Sequence, residues 1–478
     1  MIFTPKPYQQ LGINHLGEND IAALFAGMGL GKTAMVLSRL ASDIADGSCR
    51  GALIIAPLRV SLFTWIDEVA KWKNFKWMNI VSLRTPEGMA AWERGEACIY
   101  TLNYESIHIP RTTRDGEKLD YGIIKKILHG KKASELPVDT VVWDELSKAK
   151  NPSSKRIQFF RKYRSKFTRH WGLTGTPIPN SYQDIFAQIR LLDDGAMFGK
   201  VMGNFKTQYL EPEDFTERKW RVRPDCVGLI EEKLATIALT LRSEDYLDIP
   251  PVRVEDIPVV LPPKIKTVYK KMEKELIVTL ENSQISAVNK GVLVGKLQQI
   301  LCGSIYAESV ESLFDPSIDS RVTTIIHDAK VKALRKLFDE EGQKPMLVII
   351  RFKHERAEVL KAFPEAVEFH SDRLSDWNAG KIKMMVAHPL SMSHGLNMQD
   401  GGSRITWVTL PFSTEEYDQT NARLARMGQT QETKIFRLIV EGTLDDGVAA
   451  VLEAKTETQD GFLKKLSRNM KVLRAVAS

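Results

Sequence analysis

The chain has 478 residues, 43% hydrophobic and 27% charged, with a formal net charge of +7 at pH 7, which suits two or three soluble globular domains with sizeable cores. The four cysteines, Cys49, Cys98, Cys226 and Cys302, lie too far apart for a disulfide framework or a zinc pattern. With no membrane-length apolar run, no signal peptide and no metal-like histidine spacing, a cytoplasmic protein is expected, and the mild basic excess is compatible with nucleic acid without establishing it.

From residue 1 to about 195, short apolar runs alternate with amphipathic segments, the pattern of a parallel α/β sheet. Ile21 to Phe25 reads as a strand, and AGMGLGKT, Ala26 to Thr33, follows it as a phosphate-binding loop with Ala in place of the first Gly. The glycines Gly27, Gly29 and Gly31 let backbone N–H groups turn around an anion. Lys32 would reach the β- and γ-phosphates of ATP, and the Thr33 hydroxyl would bind Mg²⁺. Ala34 onward begins a helix whose N-terminal dipole favours phosphate. Further strands are expected at Ala52 to Ala56, Cys98 to Leu102 and Thr140 to Trp143. The last of these ends in Asp144 and Glu145; the first acid can hold Mg²⁺ and the second can polarise an attacking water.

Ser153 to His170 carries seven Lys or Arg and no acid, interleaved with Phe159, Phe160, Tyr163 and Phe167. Such a stretch can track phosphates, but a helix with aromatics in the core and charges in water is the slightly preferred reading. LTGTP, Leu173 to Pro177, places the hydroxyls of Thr174 and Thr176 around Gly175, a candidate coupling element between ATP and a second ligand. From about 196 to 250 the sequence turns aromatic and charged without clear strands, and Arg218 to Arg223 form a basic cluster that suits either a duplex contact or a solvated hairpin. Prolines 250, 251, 258, 262 and 263 suggest a crossover between domains. Helices are expected at Ile265 to Glu281 and Val292 to Leu301, then strands at Met346 to Ile350, Met384 to Ala387 and Ile405 to Leu410. Arg423 and Arg426, at i and i+3 on an expected helix, share one face and suit the equatorial oxygens of a transferring phosphoryl group. The tail from Leu463 to Ser478 has five basic residues, no acid and an apolar helical stripe, which suits docking on a lobe or a DNA contact. No internal repeat or low-complexity segment is present.

Taken in order, these motifs resemble the two-lobed superfamily 2 helicases and translocases, in the branch related to the Swi/Snf remodellers. KPYQQLG (Lys6 to Gly12) resembles the opening motif, in which Gln9 would read adenine. MGLGKT (Met28 to Thr33) is the family's phosphate loop, which adds Met28 and Leu30 to Gly29, Gly31, Lys32 and Thr33 as nucleotide contacts. APLRVSLFTW (Ala56 to Trp65) and TLNYESI (Thr101 to Ile107) resemble motifs of the DNA side. DELSKAKN (Asp144 to Asn151) and LTGTPIPN (Leu173 to Asn180) match the acid and coupling motifs. In the second half, HGLNMQ (His394 to Gln399) brings Gly395 toward nucleotide, and DQTNARLARMGQT (Asp418 to Thr430) resembles the arginine-finger motif, with Gln419 as a further coupling residue. EGTLDD (Glu441 to Asp446) matches the step that opens the closing helices.

The chain departs from the family at Ala26-Gly27, where two acids are usual, at Ser147, where a His often links the ATP site to the coupling motif, and at Phe412, where Trp is frequent. No bromodomain, chromodomain or other histone reader is expected, and in compactness the chain resembles bacterial and bacteriophage members.

The resemblance implies two RecA-like α/β lobes. The expected division is an ATP-binding lobe over 1–250 with a helical protrusion at about 196–250, a linker and helical insertion over 251–325, and a second lobe over 326–478 with closing helices from about 441. It further implies a DNA-stimulated ATPase using ATP and Mg²⁺. Catalysis would rest on Lys32, Asp144, Glu145, Arg423 and Arg426, with Thr33 and Asp144 as metal ligands and duplex DNA as partner. A strand-separating helicase on DNA or RNA, and an ATP-gated scaffold without productive turnover, stay open as alternatives.

Overall fold

The computed structural model describes residues 1–112, 118–120, 122–213, 220–281, 287–308, 321–392 and 396–458. The chain divides into two compact units, Met1–Leu247 with the chain from Lys455 onward, and Asp248–Ala454. Among the described residues no helix is long and apolar enough to cross a membrane.

The first unit is built on seven parallel strands: β1 (Ile21–Ala26), β2 (Ala52–Ala56), β3 (Ile80–Ser82), β4 (Ile99–Asn103), β5 (Thr140–Asp144), β6 (Arg169–Thr174) and β7 (Ala238–Leu241). Their order is β7-β1-β6-β5-β2-β4-β3. Every residue of ALIIA in β2 is buried, as are all but the first of IAALFA in β1. Such unbroken apolar runs belong to strands covered on both faces. Helices α1 (Pro7–Glu18) and α2 (Lys32–Ala45) flank β1 in sequence. Pro7 sits at the start of α1, where its missing N–H has no helical partner to lose.

The second unit holds a six-stranded parallel sheet: β8 (Val252–Pro258), β9 (Met346–Ile349), β10 (Ala366–Glu368), β11 (Met384–Ala387), β12 (Arg404–Trp407) and β13 (Thr433–Ile439), ordered β8-β13-β12-β9-β11-β10. Alternate residues feed two cores. Met346, Val348, Met384 and Val386 enter one, while Leu347, Ile349, Met385 and Ala387 enter the other. Period-2 alternation between two apolar layers explains why these strands are apolar throughout. Two parallel sheets flanked by helices give the two RecA-like lobes expected from the sequence.

The expected strands and both expected helices form, the helices as Pro263–Glu281 and Ala287–Leu301. One expectation fails: the span 196–250 contains β7 and a hairpin pairing Leu210–Pro212 with Trp220–Val222. The proline-rich run read as a crossover between domains begins where the chain passes from the first unit to the second, after Leu247, and it contains β8, which pairs with β13 along its whole length. Proline is tolerated there because β8 is an edge strand and Pro258 is its last residue.

Candidate functional site

The strand order of the first unit brings the sequence motifs together. Ligands of open parallel sheets bind beyond the carboxyl ends of the strands. Across that edge the order β7-β1-β6-β5-β2-β4 sets six segments side by side: Ser243–Leu247, the phosphate loop, the LTGT turn, Asp144-Glu145, Pro57-Leu58 and Asn103–Ser106.

The loop turns on Gly29 and Gly31, both left-handed at φ +80° and +83°. Lys32 and Thr33 begin α2, two residues before the start expected at Ala34. The half-buried Lys32 ammonium donates to the carbonyls of Ala26 (2.7 Å) and Gly27 (3.4 Å). Burial lowers its pKa, against the pull of Glu145 and Asp144. Gln9 is buried; its Oε1 accepts from Lys6 N–H at 2.9 Å and its Nε2 donates to the Leu30 carbonyl at 3.1 Å. The opening motif therefore braces the loop directly.

Burial raises the Asp144 pKa, opposed by the Trp65 indole N–H, which donates to Oδ2 at 2.8 Å, by the Lys32 charge and by the Glu145 backbone N–H. The described residues offer no cluster of three side chains able to hold a metal.

Glu145 has a left-handed backbone, φ +60°, unusual for a residue with a side chain. Its Oε1 accepts from the hydroxyls of Ser147 (2.9 Å) and Thr174 (3.0 Å). Thr174 in turn accepts from Thr176 N–H at 3.0 Å, and a side chain on Gly175 would lie 3.4 Å from the Ala26 carbonyl. So the departure at Ser147 leaves a bonded path from acid to coupling motif, with Glu145 as its hub instead of an imidazole.

The departure at Ala26-Gly27 also has a physical cause. A Cβ on Gly27 would run into Ser243 Oγ, and that hydroxyl donates to the Met28 carbonyl at 3.1 Å. Ser243 fills the space that an acid at 27 would need. Sequence reasoning missed Ser243, and its only trace is the unusual smallness of residue 27. Gly27→Ala is expected to weaken ATP binding by roughly tenfold, as an overpacked site does. Adding Ser243→Gly should recover part of that loss in a nucleotide titration; no recovery would refute the size match.

In the second unit the helix Thr414–Asn421 ends before the arginines, so Arg423 and Arg426 lie in the turns that follow, not on a helix face. Gly428, at φ +98°, closes that turn. The two guanidiniums nevertheless converge, donating to one carbonyl, Leu396 O, at 3.4 and 3.0 Å. Burial, with repulsion from Arg426, brings the Arg423 pKa down to about 10, and burial lowers that of Arg426 as well. Among the described residues neither has a carboxylate in salt-bridge range. Gln429 fixes the turn by donating to the carbonyls of Gln399 (3.1 Å) and Gly402 (2.9 Å). Gln419 lies on the preceding helix, its amide 3.4 Å from Glu415 Oε1. Gly395 falls outside the described residues.

The basic stretches are largely engaged internally. Phe160, Tyr163 and Phe167 are buried, Arg156 pairs with Glu105, Arg161 with Asp194 and Arg169 with Asp43, and Arg164 and Lys166 donate to backbone carbonyls. This matches the core-helix reading of 153–170, with ion pairs where solvated charges were expected. Arg221 pairs with Glu211, and Arg223 donates to the Gln208 carbonyl; Arg218, Lys219 and the tail from 459 lie outside the described residues. Phe412 is 41% exposed with the Arg351 guanidinium 5.9 Å from its ring.

Residues 8–303 match the SNF2-related domain. The chain belongs to that family. Protein p41 of Acyrthosiphon pisum secondary endosymbiont phage 1 is 32% identical over 98% of this chain and 99% of its own length. YqhH of Bacillus subtilis, named as an ATP-dependent helicase, is 22% identical over 95% of this chain and 78% of its own. The CHD3-type chromatin-remodeling factor PICKLE of Arabidopsis thaliana is 23% identical over 96% of this chain, which spans only 34% of that protein. The solved Sulfolobus solfataricus SWI2/SNF2 ATPase core in complex with dsDNA is 18% identical, with a TM-score of 0.42 over 98% of this chain and 95% of that one. This SNF2-related chain is thus akin to proteins named as ATP-dependent helicases and remodelling factors.

Proposed function

We propose that this SNF2-related chain is a DNA-stimulated ATPase that converts hydrolysis into movement along duplex DNA. One observation carries the reading: phosphate loop, coupling turn and acid pair stand side by side on the carboxyl edge of one sheet, continuous with the Pro57-Leu58 and Asn103–Ser106 segments. Gln9 and Met28 to Thr33 bind ATP, with Lys32 on the terminal phosphates. Thr33 and Asp144 would hold Mg²⁺, whose charge would offset that of the phosphates. Glu145 orients the attacking water and accepts its proton as the bond to the γ-phosphorus forms and the bridging P–O bond to the departing ADP breaks. Arg423 and Arg426 supply charge to the transferring group, which suits two largely buried guanidiniums with no carboxylate partner among the described residues. Thr174, Gly175, Thr176 and Gln419 couple the nucleotide to the polymer, and Gly395 joins the nucleotide contacts. We assign the ATP-binding lobe to about 1–250 and the second lobe to the unit that begins with β8, with the helical insertion between β8 and β9.

Duplex DNA is the proposed polymer because APLRVSLFTW and TLNYESI resemble family motifs on the DNA side, and because relatives include a helicase/translocase and a chromodomain-helicase-DNA-binding protein by name. The test is ATP turnover with duplex DNA, single-stranded DNA, RNA and no polymer. Duplex DNA should stimulate most. Stimulation by RNA alone would overturn the substrate, and duplex unwinding without triplex displacement would replace translocation by strand separation.

A further inference from the structure

Beside the acid pair lies a cleft of about 550 Å³, with Leu58, Arg84, Tyr104, Glu105, Lys148 and Arg156 in its walls. Three of these wall elements are bonded to Asp144-Glu145. The buried Tyr104 hydroxyl sits between two main-chain carbonyls, 3.1 Å from that of Asp144 and 3.2 Å from that of Glu145. Lys148 N–H donates to the Glu145 carbonyl at 2.9 Å. The third link starts at Leu58, whose carbonyl accepts from Ser61 Oγ at 2.8 Å. Ser61 lies in a π-helical turn, Val60–Thr64, closed by Trp65 N–H on the Val60 carbonyl. Such a turn advances the side-chain register by about one residue, roughly 100°. It delivers the fully buried Trp65 indole to Asp144 Oδ2 at 2.8 Å. Thr101, on β4, donates to the Ser61 carbonyl at 2.5 Å and ties the turn to the neighbouring strand.

These bonds hold a backbone that would otherwise relax. Glu145 in the left-handed region is strained by about 1 kcal/mol or more. The Tyr104 hydroxyl and Lys148 N–H fix the carbonyls on either side of that bend. A shift of the cleft wall therefore has a direct route to the direction of both carboxylates.

We infer that Trp65 and Tyr104 are positioning residues that transmit occupation of this cleft to Asp144 and Glu145, and so set how strongly a polymer stimulates hydrolysis. The inference rests on the proposed polymer-stimulated ATPase. Both residues act through the acids, to which they are bonded.

Trp65→Phe and Tyr104→Phe each delete one donor and keep the ring. The readout is the ratio of duplex-stimulated to basal kcat, with the ATP KM and the DNA concentration for half-maximal stimulation. Each variant is expected to lower the ratio by about tenfold, the scale of one hydrogen bond to a charged or strained group, with both half-saturation values within about threefold. Trp72→Phe, which removes an indole donor to Glu68 two turns away, should keep the ratio. A ratio retained in both variants, or basal and stimulated rates falling in proportion, would overturn the inference while leaving the polymer-stimulated ATPase standing. An unaltered protein that no polymer stimulates would remove both.

Discussion

Lys32→Ala is expected to lower ATP turnover by a factor on the order of 10² to 10³ or more, to the limit of a phosphate-release assay. The ammonium is the one side-chain cation that begins α2 directly behind the phosphate loop, and its partners are main-chain carbonyls of Ala26 and Gly27. A phosphate oxygen is a better acceptor than either, so the proton-bearing nitrogen has a stronger partner to move to when nucleotide arrives. With Lys32 gone, the developing charge on the γ-phosphoryl group would face main-chain N–H groups alone on this side.

The fold should not suffer with the activity. Burial holds the Lys32 pKa below its ordinary value even beside Glu145 and Asp144. A lysine whose folded pKa lies below its unfolded one keeps its proton against the stability of the fold, and that penalty fades as pH rises from the folded pKa to the unfolded one. Removing the charge near neutral pH therefore takes away a strain along with two hydrogen bonds. The thermal midpoint of Lys32→Ala should stay within about 4 °C of the parent. A large fall in the midpoint would mean that lost turnover reports unfolding. Turnover near the parent's would dismiss Lys32 as the phosphate ligand.

Much of this site is legible in the amino-acid sequence. The strands that carry Ala26 and Asp144 are buried, so they appear in sequence as apolar runs, and the functional residues follow where the apolar character stops, whereas β6, RHWGLT, is buried without being an apolar run. What sequence spacing cannot convey is the partner across the sheet. Trp65 meets Asp144 from 79 residues away, and Ser243 meets Met28 from 215. No local pattern marks either contact, since any indole or hydroxyl could sit there. The lack of an acid at Gly27 is visible in the sequence, yet its reason, the Ser243 hydroxyl, belongs to β7's far end. β8 is hidden because prolines flank it, and only its place at the sheet edge makes them harmless. The arginine turn reads as helical because Asp418 to Gln429 has good helix formers, but the helix ends at Asn421 and Gly428, in the left-handed region, closes the turns that follow.

Arg423→Ala is expected to lower turnover on the order of 10³-fold while ATP affinity changes only a few-fold, the pattern of a group that acts on the transition state. Arg423 is 8% exposed, and the Leu396 carbonyl its guanidinium approaches at 3.4 Å is also held by Arg426 at 3.0 Å. One weak neutral acceptor shared by two largely buried cations balances little of their charge, and Asp400 offsets part of it for Arg426 and not for Arg423, an arrangement that suits an anion. Stability should therefore hold or rise when Arg423 is removed, because Arg426 keeps the carbonyl and loses a like-charged neighbour. Arg423→Lys separates charge from geometry. The surroundings that bring a guanidinium down to about 10 would bring an ammonium, ordinarily near 10.4, toward neutrality. The lysine variant should thus lose activity more steeply than the parent as pH rises from about 7 to 9, and regain part of it at lower pH. Parallel pH profiles for parent and lysine variant would contradict that environment. Normal hydrolysis by Arg423→Ala would remove the second unit's arginines from the catalytic assignment and leave turnover to Lys32, Asp144 and Glu145.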